Sequence, residues 1–326
     1  MAGALAALAS RAAAAGDYRA RLEQAFGGPV DPGRAHARAV AEARRAQARA
    51  DHLLRNQGFG HGSVAERLRA FSGQERFLYP DDGAGRDQAV TEMNGRIAAL
   101  RPRLATAFGD LVIPRAEVRR MNPADAAAGR SGYRVPAHDG EPGVYYVDLK
   151  AIRTRPSWSL PSVAFHETVP GHLLQLPLQA AAAPPPERVM ASGAFFEAWA
   201  IYAEQLARDL GAYDADPPGE IGWLHWRLFR LGRIVADTGL HALGWTADRT
   251  IAEVRTLQGP SIAFVGIEDD VARIAREPGR FAAEGLGALE IARLRPASQA
   301  AWSAFHRQLL ADGPWPPGAL ARVIAG

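Results

Sequence analysis

Between Leu160 and Leu257 the chain passes through four apolar, breaker-poor stretches: Leu160 to Gln179, Ala191 to Leu210, Glu220 to Leu243 and Ala247 to Leu257. The breaker-rich loops Ala180 to Glu187 and Asp214 to Gly219 punctuate them. Nearly a hundred residues with this texture dictate a helical core. Upstream, Ala35 to Asn56 is charge-rich and breaker-free and reads as a long exposed helix, closed by Gly58, Gly60 and Gly62. Ser63-Val-Ala-Glu66 is a capping box, so a helix should run on to about Phe71. Asp87 to Phe108 carries Met93, Ile97, Leu100, Leu104 and Phe108 at spacings of three and four, the pattern of another helix. Val144 to Leu149, after the turn signal Asp139 to Gly143, is the best strand. No repeat and no linker is visible. The expected fold is mainly α: residues 31–326 form a single helical domain with a small antiparallel β element flanking a cleft, and residues 1–30 form an N-terminal leader.

Composition narrows the chemistry. The 326 residues contain no cysteine, which excludes disulfides, thiolate catalysis and Cys-ligated metals. Any metal must be held by His, Asp or Glu. The 38 basic residues are interleaved with 35 acidic ones instead of gathering on one face, so nucleic acid is not an expected partner. No run of eighteen apolar residues exists to span a membrane. Met1 to Gly16 is alanine-rich, but it lacks a basic start and Arg11 interrupts it. The expectation is therefore a cytoplasmic protein, with export left open.

The segment Phe165-His166-Glu167-Thr168-Val169-Pro170-Gly171-His172 carries the chemistry. A helical His-Glu-x-x-His puts two imidazoles on one face with a Glu beside them. Here the histidines are six apart, which on a regular helix turns them roughly 120° away from each other. Pro170 cannot donate a backbone hydrogen bond and Gly171 tolerates unusual dihedrals, so a bulge at this point can bring His172 back beside His166. A second apolar segment, Phe195 to Glu204, contains Glu197, a carboxylate that needs a partner or a metal. Two histidines and a Glu from the next helix form the ligand logic of His₂Glu zinc hydrolases. Glu204, one heptad later, is the fallback ligand or a group orienting a histidine from behind.

The Glu220 to Leu243 stretch presents Leu224, Leu228, Leu231 and Val235 on one side and Arg230, Arg233, Asp237 and His241 on nearly the opposite side. The pattern fits either a cleft-lining helix or a plain amphipathic surface helix.

The blocks His166 to His172, Phe196 to Glu204 and Val235 to Trp245 resemble the bacterial "domain of unknown function 885" family, from about residue 60 to the C-terminus. Its members resemble zinc metallopeptidases of the gluzincin type. The resemblance implies a mainly helical protein with a strand flanking the cleft. It also implies one zinc per chain on His166, His172 and Glu197, with Glu167 as general base. The chain departs from the family at Leu173, where a further His is common, at Ala198, where Gly is common, and at Glu284, where a Tyr is common.

The resulting expectation is a hydrolase of peptides or small amides. His241, placed nearest the zinc, is the first candidate to stabilise the oxyanion, with Tyr133, Tyr145 and Tyr146 behind it. The Val144 to Leu149 strand would pair with an extended substrate. Arg230 and Arg233, roughly 12 to 17 Å further back along the helix, would clamp a free carboxylate, unless Asp237 pairs with Arg233. The alternatives are a metal-binding pseudoenzyme, a biosynthetic amide hydrolase, and a helical interaction protein without metal.

Overall fold

The computed structural model describes residues 18–138, 140–262 and 265–325; the alanine-rich Met1 to Gly16 lies outside them. Its helices are, in chain order, α1 (Tyr18–Phe26), α2 (Pro32–Asn56), α3 (Val64–Ser72), α4 (Gly83–Leu100), α5 (Leu104–Phe108), α6 (Pro123–Ala127), α7 (Leu160–Glu167), α8 (His172–Ala182), α9 (Pro186–Ala191), α10 (Gly193–Asp209), α11 (Pro217–His241), α12 (Ala247–Gln258), α13 (Ile267–Arg276), α14 (Arg280–Leu294), α15 (Trp302–Ala311) and α16 (Leu320–Ala325). The strands are β1 (Ala116–Arg120), β2 (Tyr133–Val135) and β3 (Gly143–Val147). The fold is mainly helical, as the periodicity requires, and the capping box at Ser63 and Glu66 forms.

Helix α11 is the spine. It packs against α2, α7, α12, α13 and α14, while α10 lies along α14. Helix α2 is not the exposed helix expected. Ala35, Ala39, Ala43, Ala46, Ala50, Leu53 and Leu54 form a buried stripe at spacings of three and four. Small side chains carry little hydrophobic signal but let two helix backbones lie close together, which is why the sequence masks this face. Arg49 closes one flank with a two-pronged contact to Glu220 at 3.0 and 2.7 Å, and Arg227 reaches Glu42 at 2.9 Å.

Two other helices are shorter than their periodicity implies. The Asp87 to Phe108 stretch stops at Leu100 and passes through a 3₁₀ turn at Arg101–Arg103 before α5, because Pro102 cannot continue the helical ladder. The Leu160 to Gln179 stretch divides into α7 and α8. The β element also differs from expectation: it is mixed, not antiparallel. β3 sits between β1, which runs parallel to it, and β2, which runs antiparallel. β1 occupies one edge of β3 over Gly143 to Val147 and β2 the other over Val144 to Tyr146, so no substrate strand can add to it there.

Two apolar clusters form. The large one includes α7, α10 and most of α11, and the small one joins Ala236 and Leu240 to α12, α13 and Phe281. Two buried histidines tie elements together across the large core. His306 on α15 bridges the Ala107 carbonyl at 2.8 Å and the Tyr202 hydroxyl at 2.6 Å. His225 on α11 faces the Pro260 carbonyl at 3.0 Å. Burial pushes both imidazoles down to about 4. Their unfolded counterparts take up protons near pH 6.5, so the folded state loses stability as pH falls from about 6.5 towards 4, by up to about 3 kcal/mol for each ring. Chemical denaturation across that range should show the loss, and H306Q should flatten the curve relative to wild type. Parallel curves for the two proteins would remove His306 from the account.

Candidate metal centre

The turn between α7 and α8 decides where the two histidines point. After Glu167 the backbone leaves the helix at Thr168, passes the cis Val169–Pro170 bond and re-enters at His172. This is a full break and not the bulge expected of a continuous helix. The Gly171 amide donates to the Phe165 carbonyl at 3.0 Å, and a Cβ on Gly171 would lie 1.9 Å from the His166 carbonyl oxygen, so only glycine fits. From α10, the Trp199 indole N–H donates to the Pro170 carbonyl at 3.0 Å and holds the turn down. The fold thereby brings the two rings to 5.0 Å between centroids at nearly right angles.

Glu197 faces both rings from α10. Its Oε2 is 3.5 Å from His166 Nε2 and its Oε1 is 3.4 Å from His172 Nε2. Donor atoms of the three residues lie within 4.8 Å of one another. Glu204, on the same face of α10, accepts from His166 Nδ1 at 2.9 Å and from Ser162 Oγ at 2.6 Å. His172 Nδ1 lies 3.3 Å from the Gln175 amide oxygen. These partners take the Nδ1 side of each ring, which turns both Nε2 atoms towards Glu197.

Charge follows this geometry. Burial and the Arg230 charge act against a proton on His166, but the hydrogen bonds to Glu197 and Glu204 outweigh them and hold it up to about 9. Burial lowers His172, against the pull of Glu197. Burial opposes the Glu197 charge too, yet the two imidazoles hold its carboxyl well below the usual range. His172 Nε2 is buried, and Glu197 Oε1 at 3.4 Å makes no well-formed hydrogen bond to it, a costly state for a polar atom. Two ligands on a tetrahedral zinc at ~2.0–2.1 Å stand about 3.3–3.4 Å apart. The two histidine–carboxylate separations, each to a different Glu197 oxygen, are close to that spacing, and two imidazoles with a carboxylate are a donor set that suits such an ion.

Glu167 lies beside the triad, ion-paired with Arg134 of β2. A cavity of about 240 Å³ borders His166, Glu167 and Glu204, and Trp226, Phe229 and Arg230 of α11 line it too. A larger, more open cavity of about 850 Å³ is bordered by Arg49, Arg103, Arg208 and Arg295. Each of those arginines already faces a carboxylate.

Other expected site residues lie elsewhere. The arginine end of the α11 stripe, not the histidine end, meets the triad: Arg230 is 3.5 Å from His166 Nδ1 and 3.7 Å from Glu204. His241 is eleven residues further on, roughly 16 Å along the helix. There it stacks on Tyr18 and faces the Ile274 carbonyl at 3.2 Å, too far away to serve the oxyanion. Asp237 does not pair with Arg233 but accepts from the Gly279 and Ala282 amides and caps α14. Arg233 is locked to Asp270 at 2.9 and 2.6 Å. Tyr133 and Tyr146 stack on each other, with Tyr133 bonded to Asp125, on the sheet face opposite Tyr145 and Arg134. Tyr145 is buried in the large core. Glu284 is buried and paired with Arg280 at 3.1 Å; burial first and the Glu197 charge second push its carboxyl up. Arg134, Ser162 and Gln175 were missed by the motif reading. Ser162 and Gln175 had a signal, standing one helical turn before His166 and three residues after His172. Arg134 had none.

The family described as "Bacterial protein of unknown function (DUF885)" matches residues 2–324. No curated protein matches the chain. A solved candidate lipoprotein of Colwellia psychrerythraea superposes with a TM-score of 0.83 at 30% identity, covering 94% of this chain and 54% of that one. A candidate lipoprotein of unknown function from Shewanella oneidensis gives 0.76 at 18% identity, covering 95% and 59%. The chain thus spans a little over half the length of these two structures, and the second likeness shows the fold alone.

The Gly171 turn is open to a direct test. G171A must push α8 away from α7, which should cost about 1–3 kcal/mol of unfolding free energy and separate His172 from His166. Zinc affinity, read by competition with a chromophoric chelator, should fall at least about tenfold, the scale of lost ligand orientation. Wild-type stability and affinity in G171A would show that the turn has slack.

Proposed function

The chain belongs to the bacterial DUF885 family, and from its site geometry we propose that it is a zinc-dependent hydrolase of peptide or amide bonds. The observation that carries this reading is the convergence of His166, His172 and Glu197, whose donor atoms lie within 4.8 Å of one another at a buried site. These three side chains would hold the metal, one ion per chain. When bound, the metal supplies Lewis acidity, which lowers the pKa of a water and polarises a carbonyl.

The remaining work falls to the protein. Glu167 follows His166 directly and borders the cavity, so its carboxylate is positioned to take a proton from the attacking water and return it to the leaving nitrogen. Arg134 fixes the Glu167 side chain through their ion pair. Glu204 and Ser162 orient His166. Trp226 and Phe229 give the cavity an apolar wall that excludes water around the reacting groups. The candidate-lipoprotein description of the Colwellia psychrerythraea structure supports an exported setting in place of the cytoplasmic one expected from the sequence. Among the described residues no helix is long and apolar enough to cross a membrane.

Metal analysis of untagged protein should give one zinc per chain, and H166A, H172A or E197A should each abolish it. E167Q should retain zinc while turnover of a peptide substrate falls on the order of a hundredfold or more. Zinc retained with no turnover in wild type would leave a metal-binding protein without hydrolase chemistry. Wild type without zinc would end the proposal.

A further inference from the structure

Three arginines border the cavity beside the triad, and they are not equivalent. Arg233 spends its guanidinium on Asp270. Arg273 is half exposed, with Glu277 at 3.8 Å. Arg230 is largely buried, yet its ionic contact with Glu204 is 3.7 Å long, and Glu204 already receives His166 and Ser162. Its Nε is buried without any hydrogen-bond partner. Its guanidinium lies 5.3 Å from the Phe229 ring centre and 5.6 Å from that of Trp226, which hold it in place. A guanidinium fixed at the cavity wall, whose polar contacts to His166 and Glu204 are long, can take a further acceptor, and a carboxylate matches its two-pronged geometry best. The nearby acids do not supply one: Glu167 is engaged by Arg134, and Asp270 by Arg233. A cavity of about 240 Å³ is smaller than a drug-sized site and suits the end of a short chain.

We infer that Arg230 receives a carboxylate of the substrate in this cavity, so that the substrates are short peptides or small amides carrying a negative group beside the cleaved bond. This rests on the hydrolase reading for its name as a substrate site, but the carboxylate preference is measurable without catalysis. The group is either the terminal carboxylate or an acidic side chain, and the two are separable.

The test uses three probes: N-acetyl-Gly-Leu with a free carboxylate, the same peptide as its C-terminal amide, and N-acetyl-Gly-Glu amide. Binding to the zinc-treated protein is measured by calorimetry, alongside turnover. At least one carboxylate-bearing peptide should bind about tenfold or more tightly than the neutral one. Preference for the first identifies the terminal carboxylate, and preference for the third identifies an acidic side chain. R230Q should bring all three within about twofold by weakening the favoured carboxylate peptide most, and R230K should retain part of the preference. The inference is overturned if the neutral peptide binds as well as both others, if none binds below millimolar, or if R230Q weakens all three alike. Carboxylate-selective binding without turnover would instead overturn the hydrolase reading and leave this site standing.

Discussion

Everything at the centre depends on four residues that are not helical. A six-residue spacing sends two side chains to different faces of a helix, and only a break re-registers them. Trp199 holds that break at Pro170 from the neighbouring helix, while Gly171 admits the His166 carbonyl where any side chain would collide. Helix α10 thus serves the site three times: Glu197 faces the rings, Trp199 clamps the turn, and Glu204 anchors His166. The convergence of α7 and α8 is a property of α10 as much as of the histidine motif.

The second constraint is charge. Glu197 and Glu204 both approach His166, and without an ion the imidazole proton offsets part of that negative charge. A cation between His166, His172 and Glu197 would replace that proton. Buried carboxylates of this kind persist only where compensation is built in. Arg230 supplies more of it from α11 and Arg134 from the sheet, so each carboxylate around the centre has a cationic neighbour.

Much of this was legible in the sequence, and the failures have common physical causes. Periodicity located the helices because apolar residues at three and four recur through α4, α10 and α11. It missed the buried face of α2 because alanine is a weak marker of burial. The His166, His172 and Glu197 set stood out because ionisable side chains in apolar runs are conspicuous. The orientation of the α11 stripe did not, since a helix seen alone does not say which end approaches its neighbour. Its arginine end meets the triad, whereas Asp237 and His241 are absorbed in capping α14 and packing on Tyr18. Arg134 comes from a three-residue strand too short to announce itself, placed by pairing with β3.

The small apolar cluster has a consequence for the cavity. Arg273 and the Asp270 that holds Arg233 belong to α13, which is anchored by Val271 and Ile274 in that cluster and not in the large core. Helices α7, α8 and α10, which carry the triad, are anchored in the large core. Separate cores open with separate free energies. One bank of the cavity therefore shares the rigidity of the whole molecule, while the other can loosen at lower cost. Hydrogen exchange would find the boundary between them running through α11 itself, with the width of the cavity changing on the α13 side alone while His166, His172 and Glu197 keep their places.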